Sequence, residues 1–196
     1  MPLLRIIKRD EATIGLWEMV DGEFDTCTDD YLRDAIREAE KRYKSNARRM
    51  EYICERALLK DMMNGRIVNI FHNEDGKPML NNGLDISISH TRGYIAIILS
   101  ETKNVGIDIE YVSDRVEKIS SRFMREDESA DDIMSLLVHW CAKETLYKLF
   151  SSEHLDFMNI KVNIGETVSA TNMLDNITVP LFVESTSNYV LTYSML

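Results

Sequence analysis

The chain of 196 residues has only 3 prolines and 3 cysteines, and a shortage of positive charge. Cys27, Cys54 and Cys141 are odd in number and scattered, with no C-x-x-C or Cys/His spacing, which argues against a disulfide framework and against a zinc site. A reducing, cytoplasmic setting suits them. No apolar run approaches the roughly 20 residues that span a bilayer, so no membrane segment is expected. The start, Met-Pro-Leu-Leu-Arg-Ile-Ile-Lys-Arg-Asp, meets charge too early for a signal peptide. The formal net charge of −10 disfavours nucleic acid as a partner, because binding it requires cations that displace phosphate counterions.

What is present is globular: 44% hydrophobic and 29% charged residues, enough chain to bury a core without staples. The charge is uneven. Residues 1–103 carry 16 Lys+Arg against 18 Asp+Glu, whereas residues 104–196 carry 7 against 15. Between Lys41 and Arg49 lie five basic residues and no acid, which suits either a phosphorylated ligand or acidic partner, or a solvated helix face.

Periodicity predicts strands at 3–7 and 13–19 around a polar turn from Lys8 to Glu11, then helices from Asp29-Asp30 to Tyr43 and from Ala47 to Met63. A strand at 67–71 follows. Residues 84–90 alternate, with Leu84, Ile86, Ile88 and His90 on one side and Asp85, Ser87 and Ser89 on the other. Residues 94–99 are apolar throughout, as a buried central strand would be. Further on come a strand at 105–110, a helix at 128–150, and strands at 160–164, 177–184 and 189–195. The order of elements in residues 104–196 echoes that in 1–103, so the expected fold is α+β, pseudo-duplicated, with mostly antiparallel sheets.

Two stretches carry chemistry. In Val105-Gly-Ile-Asp-Ile-Glu110 the strand period puts Gly106, Asp108 and Glu110 on one face and the β-branched residues on the other. That leaves a bare, doubly negative face with room for a divalent cation beside it, or simply a half-exposed strand. In the long helix, Ile133, Leu136, Leu137 and Trp140 form an apolar stripe. At about 100° per residue, Glu144 falls within roughly 20° of Ile133. A carboxylate there needs a partner. Lys148 offers an i, i+4 ion pair, and Asp108 with Glu110 offer a shared cation.

Val105-Gly-Ile-Asp-Ile-Glu110 followed by Trp140-Cys-Ala-Lys-Glu-Thr-Leu-Tyr-Lys148 resembles the paired signature of the 4′-phosphopantetheinyl transferases of the surfactin-synthetase-activating type. Arg48-Arg-Met-Glu51 ahead of Arg56-Ala-Leu-Leu59, then Gly76-Lys-Pro78 and Ser87-Ile-Ser-His90, add to the likeness. The resemblance implies the pseudo-duplicated transferase fold as a pseudo-dimeric monomer. It implies a nucleotide-contacting half (1–103) and a metal-binding half (104–196). It implies transfer of phosphopantetheine from coenzyme A to a serine of an apo acyl or peptidyl carrier protein. Asp108, Glu110 and Glu144 resemble the Mg²⁺ ligands. Lys77, Ser89, His90 and one or both of Arg48 and Arg49 resemble the groups on the nucleotide end of coenzyme A and its 3′-phosphate. Lys148 resembles the lysine on the pyrophosphate, and Glu144 the acceptor of the serine proton. In place of the family's glycine-containing loop stands Ser151-Ser-Glu-His-Leu-Asp156. That departure keeps a rival reading open, a silent module that binds coenzyme A or carrier protein without transfer. A purely structural ion network is a third.

Overall fold

The computed structural model describes residues 3–9 and 11–196. The turn read over Lys8 to Glu11 includes Asp10, which lies outside the described residues. The first half contains β1 (Leu3–Lys8), β2 (Thr13–Glu18), α1 (Asp30–Arg42), α2 (Asn46–Met62), β3 (Ile70–His72), β4 (Pro78–Leu80), β5 (Asp85–Thr91) and β6 (Tyr94–Ser100). The second contains β7 (Val105–Tyr111), α3 (Arg115–Ile119), α4 (Ile133–Leu149), β8 (Ile160–Ile164), β9 (Val168–Asn172), β10 (Ile177–Ser185) and β11 (Tyr189–Met195). The architecture is α+β. One sheet runs β1-β2-β6-β5 and the other β7-β11-β10-β9-β8, and a small hairpin joins β3 to β4. All pairings are antiparallel. The first half has two long helices, a four-stranded sheet and the small hairpin, and the second has one long helix and a five-stranded sheet, with different strand orders.

The layers follow from alternation. On β6, Ile95, Ile97 and Leu99 pack under Cys54, Ala57, Leu58 and Met62 of α2, while Ala96 and Ile98 pack against Val105, Ile107 and Ile109 of β7 and Leu191 of β11. An apolar run on a strand covered on both faces is the result. On the far side of the second sheet, Ala142, Leu146 and Leu149 of α4 meet Ile160, Val162, Ala170 and Val179.

Strands β5 and β7 are edges of different sheets, and side chains join them. The β7 N–H groups of Val105, Ile107, Ile109 and Tyr111 donate to Asp85 Oδ2 (2.8 Å), Ser87 Oγ (3.2 Å), Ser89 Oγ (3.3 Å) and Thr91 Oγ1 (3.3 Å). The polar side of the alternating stretch thus faces a strand edge. Ser87, Ser89 and Thr91 are buried there. Without them each buried N–H would be left unsatisfied, at about 1–3 kcal/mol.

Three expectations need correction. The Gly106-Asp108-Glu110 face of β7 is not bare, because α4 lies across it: a Cβ on Gly106 would collide with the Thr145 carbonyl oxygen and stand 3.1 Å from the Leu149 nitrogen. Helix α4 begins at Ile133, where Asp132 and Ser135 form a capping box, and not at Glu128. Its fully buried side includes Leu137, Val138, Cys141, Ala142 and Thr145. Ile133, Leu136, Trp140 and Glu144 flank it half-buried, because sheet, α3 and loops together cover more of the helix than one stripe. The strand read at 67–71 shrinks to Ile70–His72, with Ile67 exposed and outside it.

Gly106→Ala should therefore lower the unfolding free energy by about 2 kcal/mol or more, since the obstacle is helix backbone and cannot rotate away. Urea unfolding checks this, and an unchanged midpoint would mean that α4 is not seated on Gly106.

Candidate functional site

A cleft of about 300 Å³ opens where the two sheets meet, lined among others by Glu55 of α2, Lys77, Ile88 and His90 of the first half and Glu144 and Lys148 of α4. Its mouth is bounded by the segment after α4. Ser151 lines the wall, buried Leu155 anchors the loop, and His154 Nε2 lies 3.2 Å from Asp75 on the β3–β4 turn.

Behind Lys148, Asp108 is 4% exposed. Its Oδ1 accepts from Ser89 Oγ and from Lys148 Nζ, both at 2.7 Å, and Lys148 also donates to the Ile107 carbonyl at 3.0 Å. Asp108 Oδ2 is buried without a partner among the described residues. Glu110 accepts from Thr91 Oγ1 at 2.8 Å and from Trp140 Nε1 at 3.3 Å. Burial, and then the charge of Asp108, raises the Glu110 pKa against these two hydrogen bonds. The Glu144 pKa is pushed up to about 7, first by burial and then by the Asp108 charge, with Lys148 opposing and Glu110 adding. The three acids thus sense one another. As the side chains stand, among the described residues no group of three or more His, Cys, Asp or Glu is placed to hold a metal ion. The reason is local: Lys148 turns from Glu144, its expected i, i+4 partner, to Asp108. Hydrogen bonds fix both Glu110 oxygens.

The donor set nevertheless suits a hard divalent cation. Its oxygens come from carboxylates, and Asp108 Oδ2 is a buried acceptor that no protein donor satisfies.

On the first-half side Arg48 donates to Glu51 Oε2 at 2.9 Å and stands 3.4 Å from His90 Nε2, while His90 Nδ1 lies 3.6 Å from Glu51. Burial lowers the His90 pKa, with Glu51 opposing. Lys77 is paired with Asp85 at 2.8 Å. Arg49 stands apart, its Nε donating to the Tyr43 carbonyl at the α1–α2 junction. Ser89 lies beneath the cleft, spent on Asp108 and on β7. The fold therefore gathers Arg48 with His90, and Lys77 with Glu144 and Lys148 over Asp108. It leaves out Arg49, and Ser89 enters only through Asp108. Sequence reasoning quoted Glu51 within a motif but gave no role to Glu51, Glu55 or Thr91. Glu51 and Glu55 sit one and two helical turns beyond Arg48, and Thr91 continues the β5 alternation, so spacing alone carried the signal.

Lys143 of the helix signature is wholly buried, paired with Glu128 at 2.8 Å and donating to the Phe157 and Ile160 carbonyls. Glu128 in turn accepts from the Arg125 and Val162 nitrogens. This bracket orients α4, and with it Glu144 and Lys148.

A model of the 4′-phosphopantetheinyl transferase superfamily matches residues 104–194. Over that segment the chain is similar to this superfamily. No curated protein matches the sequence. The superfamily is one of phosphopantetheinyl transferases, and the matched segment holds Asp108, Glu110, Glu144 and Lys148. Arg48, Lys77 and His90 lie outside it. No helix among the described residues is long and apolar enough to cross a membrane.

Glu55 has a raised pKa, about 7, from burial above all, with Arg56 opposing and Glu51 adding. Its folded-state pKa exceeds its unfolded value, so its contribution to stability is complete below about pH 4.5 and is lost as pH rises through about 7. Denaturation from pH 4 to 8 should show Glu55→Gln losing less stability than the parent across that window. Parallel curves would contradict this.

Proposed function

We propose that the chain transfers the 4′-phosphopantetheine group of coenzyme A to a serine of an apo acyl or peptidyl carrier protein in the cytoplasm, releasing 3′,5′-adenosine bisphosphate. The observation that carries this reading is Asp108: a buried carboxylate with one unsatisfied oxygen, bonded to Lys148, which lines a cleft together with His90, itself beside Arg48. Asp108, Glu110 and Glu144 would hold Mg²⁺, which when bound neutralises pyrophosphate charge. Arg48, Lys77 and His90 contact the nucleotide end. Lys148 is placed to move its ammonium between Asp108 and a phosphate oxygen.

The work of the protein is positioning and charge neutralisation, which dominate phosphoryl transfer. The serine oxygen attacks the β-phosphorus, and the bond to the bridging oxygen breaks. Glu144 accepts the serine proton, directly or through one water. A carboxyl with its pKa near neutrality suits that task. For the carrier, a second depression of about 280 Å³ beside Glu110 offers Trp140 and Phe157 flanked by Arg115 and Arg122. Those two cations suit an acidic partner. Arg125 does not join them, being held by Asp127 and the Met158 carbonyl.

Intact mass of several apo carriers incubated with the protein, Mg²⁺ and coenzyme A tests the reading. Adduct is expected, and Glu144→Gln should slow it about 100-fold or more. Coenzyme A binding without adduct on any carrier would favour the silent module, and a near-normal Glu144→Gln rate would remove Glu144 from the proton transfer.

A further inference from the structure

The side-chain donors to Asp108 crowd onto one of its oxygens. Ser89 Oγ and Lys148 Nζ both donate to Oδ1 at 2.7 Å, and the ammonium also holds the Ile107 carbonyl at 3.0 Å. Oδ2 stays buried with no donor among the described residues. Two donors on one oxygen and none on the other is a lopsided way to satisfy a buried carboxylate, because an acceptor left without a donor there is costly. The ammonium therefore neutralises Asp108 only on the side away from Oδ2.

Lys148 is not sealed in. Its side chain is 24% exposed, against 6% for Asp108, and it lines the cleft together with Glu144. A lysine ammonium rides on a flexible four-carbon stem, so it can turn outward while α4, seated on Gly106, stays where it is. A carboxylate that carries an ammonium on one oxygen can take a dication on the other only against the repulsion of two like charges. That repulsion is strong where water is excluded.

Resting on the reading of Asp108, Glu110 and Glu144 as cation ligands, we propose that Lys148 is the site's own counterion, competing with the divalent cation for Asp108 and turning into the cleft when the cation binds. The exchange orders the two binding events. Without the cation, Lys148 is spent on Asp108 and the cleft lacks its charge. With the cation bound, the released ammonium is available to an anionic ligand in the cleft. By linkage, an anion that keeps Lys148 there strengthens cation binding by the same factor.

Mn²⁺ titration of the full chain, followed by electron paramagnetic resonance on the parent and on Lys148→Met without coenzyme A, tests this. Methionine keeps an unbranched stem and drops the charge. The variant is expected to bind Mn²⁺ about tenfold tighter or more, as the removal of one competing charge does. Equal or weaker binding overturns the assignment, since a merely structural ion pair, or a lysine that assists the cation, gives that result. While paired with Asp108 the amine is also shielded from acylation. Acetic anhydride, with the products mapped by peptide mass, should label Lys148 of the parent several-fold more with Mg²⁺ than without, relative to the exposed Lys41. Unchanged labelling overturns the assignment, and it decides alone if Lys148→Met fails to fold. Tighter Mn²⁺ binding and cation-dependent labelling without adduct on any carrier uphold the exchange and overturn transfer. Adduct with an unchanged Mn²⁺ affinity does the reverse, and no Mn²⁺ binding by either protein overturns the exchange.

Discussion

Four oxygen-bearing side chains of β5, each accepting a β7 amide twenty residues further along the chain, seal two sheet edges that never pair through their backbones. Two of these side chains work in both directions. A hydroxyl can accept from an amide and donate its own proton, and Ser89 and Thr91 donate theirs to Asp108 and Glu110. Asp85, which can only accept, takes Lys77 instead. The same seam thus closes the fold, aims two carboxylates and anchors one cation of the cleft.

Helix α4 supplies the other half of the site, and its place is fixed from two directions. Gly106 lets its backbone come down onto β7, and the buried Lys143–Glu128 pair ties its middle to the loop at residues 157–160. Burying that pair costs desolvation, which four further hydrogen bonds to backbone groups offset. With the helix held so, Lys148 reaches Asp108 and Glu144 faces the cleft. The adjacent residues Lys143 and Glu144 thereby divide the labour: one is interior scaffolding and the other borders solvent-accessible space.

Much of this was legible in the residues. The period of two on β5 separates the seam from the core face, the unbroken apolar run on β6 marks a strand covered on both sides, and the bounds read at Asp29 to Tyr43 and Ala47 to Met63 match the first two helices within a residue or two. What could not be read was which partner each polar side chain would find. The spacing Glu144 to Lys148 points to a helical ion pair, but the tertiary approach of β7 offers Lys148 a better-buried carboxylate. Ser89 resembles a ligand contact in sequence, and in the fold its hydroxyl supports Asp108. The start of α4 was misplaced because the acidic, polar stretch at 128–132 fits a first helical turn as well as it fits a loop that carries Glu128 into the interior.

The central claim is that the β5 seam positions the carboxylates for a cation, and Mn²⁺ affinity measured by electron paramagnetic resonance on the parent and on Ser89→Ala tests it most directly. The account predicts that Mn²⁺ binds the parent, and that losing the Ser89 hydroxyl weakens binding about 10-fold or more, as removal of a ligand-orienting group does, while unfolding stays cooperative. Equal affinity in the two proteins would contradict it.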